Sequence, residues 1–174
     1  MLRTEDRRRA LVARLRRTSH PVRGSDLAAE LGVSRQVVVN DVAILRAGGL
    51  PVVGTPQGYL LVDRGVAADE AVVAVRHGRE RTAEELAVLV DHGLTVLDVV
   101  VEHQLYGEMR ANLMLRTRED VDRFVESMER DGAQLLSALT GGVHLHTVRF
   151  SDEAALEAAR RELRRLGLLL QESG

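Results

Sequence analysis

The 174 residues contain no cysteine, and only 2% are aromatic. Without cysteine there is no disulfide, no thiolate ligand and no cysteine nucleophile, so a metal could be held only by His, Asp or Glu. With so few aromatics, the cores must be aliphatic, drawn from the Leu, Val, Ala and Ile that help bring apolar residues to 45%. No apolar run reaches the ~18 residues that span a bilayer. The opening MLRTEDRRRA has an acidic pair and no apolar stretch behind it, so no signal peptide is expected. A cytoplasmic chain with no membrane partner is the expectation. Lysine is also missing, all 24 basic residues being arginine.

The net charge of −2 hides an asymmetry. Residues 1–65 hold 11 arginines and 6 acidic residues, a net +5, whereas residues 66–174 hold 13 arginines and 20 acidic residues, a net −7. A basic half is suited to a polyanion.

Residues 4–17 read as a helix that ends before His20-Pro21, because the residue before proline is pushed away from helical angles. Ser25 is expected to cap a second helix closed by Gly32, and Ser34 a third that ends near Gly48-Gly49. Val52-Val53 and Tyr59–Val62 flank the turn Thr55-Pro56-Gln57-Gly58 and read as a hairpin. Three helices and a hairpin give the winged-helix order. After a linker at 63–68 the pattern alternates. Strands are expected at 71–77, 94–103, 108–115 and 143–150. Helices are expected from a Thr82 cap to Asp91, over 118–130, and from a Ser151 cap to Leu166, with a short last strand at 168–171. The fold class is therefore α+β: a winged helix over 1–65, then one sheet covered by helices over 66–174.

In the third helix, 100° per residue places Val42 and Leu45 within about 40° of Val38. They form the stripe that packs on Leu11, Leu15, Leu27 and Leu31. Gln36, Asn40 and Ala43 fall on the opposite side, with Arg35 on the flank of the first turn. Polar forks near a helix N-terminus, aimed away from the core, are what a major groove requires. Arginine suits guanine and Gln or Asn suits adenine, because each makes two hydrogen bonds to one base edge. Ser34 at the helix N-terminus can hold a phosphate. Gln57 and Tyr59 in the wing are expected to reach the backbone or minor groove. Asp41 is expected to pair with an arginine of the first or second helix. LAAELGVSRQVVVNDVAILRAGG resembles the helix-turn-helix of the biotin-repressor group, which implies operator double-stranded DNA as a partner.

His144 and His146 are two apart on a strand, so they share a face. Gly141-Gly142 before them permits another segment to come close. His77 ends the first strand of this part, and Glu85 follows eight residues later in a helix. A site of His77, Glu85, His144 and His146 is feasible, and three imidazoles with a carboxylate suit nickel, zinc, cobalt or iron. A lone His-x-His also occurs as an ordinary strand. His92 at a helix end suits the dipole there, and His20 has no assigned role.

VDHGLTVLDVVVEHQLYGE and GGVHLHTV together resemble the signature of the 3H domain of niacin-responsive transcriptional repressors, the NiaR-like family. The resemblance implies a repressor that binds operator DNA in response to nicotinic acid and controls NAD-precursor genes. It also implies metal ligands at His77, Glu85, His144 and His146, with nickel or zinc foremost. His103 and Tyr106 lie in its Glu-His…Tyr-Gly string and are expected at the effector. Gln104 departs from the proline usual there. A homodimer is expected, because one reading helix contacts too few bases. Two other classes remain open at this point. One is a metal-sensing transcription factor. The other is a metal-dependent hydrolase in which Glu84, Asp91 or Glu102 serves as base, although no nucleophile motif or phosphate loop accompanies it.

Overall fold

Three short amphipathic helices close on one aliphatic stripe at the N-terminal end of the chain. The structure is a computed structural model that describes residues 2–55, 58–62, 69–131 and 135–170. Helix α1 spans Thr4–Arg16, α2 Gly24–Leu31 and α3 Arg35–Ala47. Leu11, Leu15, Leu27, Val38 and Val42 are buried together, and Leu31 and Leu45 pack on them. Each fully buried leucine or valine contributes about 1.5–3 kcal/mol. Asp41 is also buried, and it takes Nε of Arg7 at 2.6 Å and Nε of Arg8 at 3.1 Å, both from α1. The core face of α3 is thereby fixed to α1 by charge as well as by apolar contact.

Strands β1 (Val52–Thr55) and β2 (Gly58–Leu61) form the hairpin, paired from Val52↔Leu61 to Thr55↔Gly58. Val22 adds a bridge, exchanging two backbone hydrogen bonds with Tyr59. Gly58 must be glycine, since a Cβ there would lie 2.3 Å from the Val22 carbonyl oxygen. Gln57 and the linker at 63–68 lie outside the described residues.

The remaining elements are β3 (Glu70–Arg76), α4 (Thr82–Asp91), β4 (Thr95–His103), β5 (Gly107–Leu115), α5 (Arg118–Asp131), β6 (Val143–Arg149) and α6 (Glu153–Arg165). The four strands lie antiparallel in the order β3-β6-β4-β5. Helices α4, α5 and α6 cover one face, where Leu86, Leu89, Val121, Leu156 and Leu163 meet Val73, Val75, Val96 and Val148. The other face is not left to solvent. Ala74, Val100, Val143 and Leu145 are buried against Ala43 of α3, with Ala47 packed beside them. Ala43, expected on an outward side of α3, is instead covered by the sheet.

Three expected caps also move. Helix α2 begins at Gly24 after an extended Arg23 and has no side-chain cap, so Ser25 lies inside the helix. Thr82 is already helical and caps nothing. Asp152, one residue past Ser151, accepts from the Ala154 N–H at 2.9 Å. Where two cap-forming residues adjoin, backbone entry decides between them, and sequence carries little of that. Ser34 does cap α3, accepting from the Val37 N–H at 3.3 Å. The expected last strand is reduced to one bridge, Val75↔Leu169.

Candidate metal centre and nucleic-acid interface

Alternation along β6 sorts its side chains. His144 and His146 point to the helix-covered face, where Val148 joins the core, while Val143 and Leu145 point to α3. Helix α4 brings Glu85 over the two imidazoles, and His77, the residue after β3, arrives beside them. Glu85 is 1% exposed. Its Oε2 lies 2.5 Å from His77 Nε2 and 3.3 Å from His144 Nε2, and its Oε1 lies 2.7 Å from His146 Nε2. One ligand atom each from His77, Glu85 and His144 fall within 4.8 Å of one another. His146 joins them through Glu85. The rings stand edge to face, with centroids 4.8 Å apart for His77–His144 and 5.0 Å for His144–His146.

The backs of these rings settle their tautomers. His77 Nδ1 donates to the Gly78 carbonyl at 2.7 Å, His144 Nδ1 to Gly142 at 2.8 Å, and His146 Nδ1 to Asp98 at 2.7 Å. A carbonyl can only accept, so each Nδ1 carries the proton and a neutral ring offers its Nε2 lone pair. Three lone pairs then face a carboxylate that also only accepts. Either the rings carry a second proton or a cation lies among them. Glu85 Oε1 and His146 Nε2 are buried 2.7 Å apart, yet their contact lacks hydrogen-bond geometry and neither atom has another partner. The donor set of three imidazoles and one carboxylate, held by backbone carbonyls behind, fits a divalent transition metal.

Electrostatics agree with a charged cluster. Burial opposes the charge on Glu85, yet the His146 and His144 imidazoles hold its carboxyl well below the usual carboxylate range. Burial also works against protonation of His77 and His146, but Glu85 outweighs it and raises both.

The cluster forms one wall of a chamber whose other walls are mostly apolar, Leu86, Val99, Leu113, Phe124, Leu135 and Leu136, with Thr82 and Ser137 beside them. Gly142 lets this wall close, since a Cβ on it would lie 2.5 Å from the His77 carbonyl oxygen. Neither His103 nor Tyr106 lines the chamber. They sit at the β4–β5 turn, stacked at 4.9 Å, with Tyr106 62% exposed. His103 Nδ1 accepts the Leu105 and Tyr106 N–H groups and thereby shapes the turn. The structure does not bring these two residues to the imidazole cluster. Nor does it bring the three candidate bases: Glu84 pairs with Arg81, Asp91 with Arg118, and Glu102 with Arg35.

Among the expected DNA-reading residues, Ser34 and Gln36 are exposed, and Gln36 donates to Asn40 Oδ1 at 2.9 Å. Two others differ from expectation. Tyr59 does not project from the wing. It is 2% exposed, and its hydroxyl donates to Glu102 of β4, because pleating turns it inward opposite Gly54. Arg35 does not reach outward, and its Nη2 lies 3.3 Å from Glu102 Oε1.

Sequence reasoning missed Asp98. Its carbonyl orients His146, and its carboxylate takes the Thr147 N–H at 2.8 Å and the Arg110 guanidinium. The one available signal was an aspartate inside the apolar run LTVLDVVV. Sequence reasoning also missed Phe124 and the segment at Leu135–Ser137, whose position over the site depends on tertiary packing alone.

Two family models match the chain: an HTH domain over residues 7–60 and a 3H domain over residues 70–172. A protein of Thermotoga maritima described as a probable transcription repressor NiaR is 43% identical over 168 residues, 97% of this chain and 95% of the relative. The transcription repressor NadR of Bacillus subtilis is 39% identical over 170 residues, 96% of this chain and 94% of the relative. An uncharacterized protein of Methanothermus fervidus is 24% identical over 110 residues, 58% of this chain and 17% of that protein. No helix among the described residues is long and apolar enough to cross a membrane. With a DNA-reading unit joined to a 3H unit along nearly the whole length of two transcription repressors, the chain belongs to the NiaR/NadR family and is a non-enzymatic regulator of transcription.

Proposed function

We propose that the chain represses transcription in response to nicotinic acid, sensed beside a divalent metal held by His77, Glu85, His144 and His146. The observation that carries this reading is the convergence of three Nε2 atoms on one buried carboxylate at the wall of an apolar chamber. Nickel and zinc both suit that donor set. The metal would supply a positive Lewis-acid centre to which a carboxylate or a ring nitrogen can bind. The chain's own residues do the rest. Gly78, Gly142 and Asp98 fix the rings through their carbonyls, Glu85 balances charge, and Leu86, Val99, Leu113 and Phe124 exclude water around a flat aromatic ring.

The repressed genes, in this reading, serve NAD synthesis or niacin uptake. Two copies act together in the cytoplasm on a two-fold operator. Residues 1–65 read DNA, through Ser34, Gln36, Asn40 and Gln57, and through Arg35 once it parts from Glu102, and residues 66–174 sense and dimerise. Strand β6 is the connecting element, because ligands and the seat of α3 alternate along it. A ligand that binds one arrangement of β6 better than another shifts the balance of states by that difference.

The test is operator affinity, measured with and without nicotinic acid at constant nickel or zinc, for the wild type and for His146→Ala. The expected result is a niacin-dependent gain in the wild type and a blunted gain in the variant. A gain with metal alone would make the chain a metal sensor. No response to either would overturn the reading.

A further inference from the structure

The seat of α3 on the sheet bears on how the reading helix meets DNA. On the helical wheel, Arg35, Val39 and Arg46 lie within about 40° of one another, on the flank next to the face that carries Gln36 and Asn40. That flank meets β4, β5 and β6. Val39 is 8% exposed and Ala43 is 6% exposed. Arg35 pairs with Glu102 of β4 at 3.3 Å, and Arg46 with Glu108 of β5 at 2.6 Å. Both acidic side chains are largely covered. Glu102 also accepts the buried Tyr59 hydroxyl of the wing and lies 3.2 Å from where a Cβ on Gly54 would stand. One carboxylate therefore ties the reading helix and the hairpin to the same strand.

An α-helix with its side chains is about 10–12 Å across, and the major groove is about 12 Å wide. An inserted helix has a phosphate strand on either flank and no room for a sheet between. We propose that Glu102 and Glu108 form an anionic clasp that holds α3 against the sheet in an arrangement closed to duplex DNA. Their carboxylates stand where phosphates would stand, against the same two arginines. Operator binding requires α3 to leave this seat, so DNA and the sheet compete for Arg35 and Arg46. The chamber on the other side of β6 would then act by loosening the seat, the one step here that rests on the niacin reading above.

The test uses the full chain and a duplex selected by the wild-type protein from a random-sequence pool, with neither nicotinic acid nor metal added. Glu102→Gln keeps an acceptor for the Tyr59 hydroxyl and removes the charge that holds Arg35. It should tighten duplex binding about tenfold, the scale of one charged hydrogen bond released. In an Arg35→Gln background the same change should give no gain, because a double-mutant cycle isolates the pair from the general repulsion of DNA by a carboxylate. Glu108→Gln, which frees Arg46, should tighten binding as well and serves if Glu102→Gln does not fold. Unchanged or weaker binding in both variants would overturn the clasp, as would an equal gain with Arg35 absent. A wild type that ignores nicotinic acid would fail the sensing reading and leave these results standing.

Discussion

At the scale of single residues, hydrogen-bond direction decides more than proximity. Glu85 collects three imidazoles because each ring is turned by a backbone carbonyl behind it. The His-x-His spacing, the carboxylate eight residues past His77 and the apolar strand were legible in the sequence. The carbonyls were not, since every residue has one and only the fold aims it. Asp41 shows the same division. Its charge in the apolar stripe of α3 pointed to an arginine partner, and the structure supplies two, Arg7 and Arg8, buried with it. Removing the carboxylate would strand two covered guanidinium groups. Asp41→Ala should therefore lower stability by roughly 3 kcal/mol, as for other buried pairs broken on one side. Chemical denaturation would measure this, and a loss under about 0.5 kcal/mol would place the network among inert surface pairs.

Elements are where sequence periodicity served best and helix entry served worst. The strands and helices follow from apolar spacing, and the αL Gly32 and capping Ser34 mark the turn between α2 and α3. Ser25, Thr82 and Ser151 were eligible caps by residue type, yet the backbone enters each helix elsewhere. Strand β6 could be found from its pattern, but not its position between β3 and β4, which only long-range pairing settles. The approach to β6 is tight. Gly142, at φ +94°, lies against the His77 carbonyl with no space for a methyl group. Gly142→Ala should push His77 away from Glu85 and weaken metal binding about 10–100-fold, the usual cost of disturbing the groups that orient a ligand. Calorimetric titration with nickel reads this directly, and an unchanged affinity would mean that His77 is not a ligand.

Across the whole molecule, the unexpected feature is that both faces of the sheet are covered, one by its own helices and the other by the reading helix. A helical wheel gives the direction of Gln36, Asn40 and Ala43 but cannot say what a second unit will lay against them. This is why Arg35, Ala43 and Tyr59, all expected at the surface, are found turned to β4 and its neighbours. The arrangement puts the imidazole cluster and the seat of α3 on opposite sides of a single strand. An event at one reaches the other through the thickness of one sheet. Sensing beside a metal requires first that the imidazole cluster hold one. X-ray absorption at the zinc edge of the zinc-loaded protein tests that most directly. Ligation by His77, His144, His146 and Glu85 predicts a shell of nitrogen and oxygen at about 2.0–2.2 Å with imidazole scattering behind it, and one imidazole fewer in His146→Ala. A shell of oxygens alone, the same in the wild type and the variant, would contradict it.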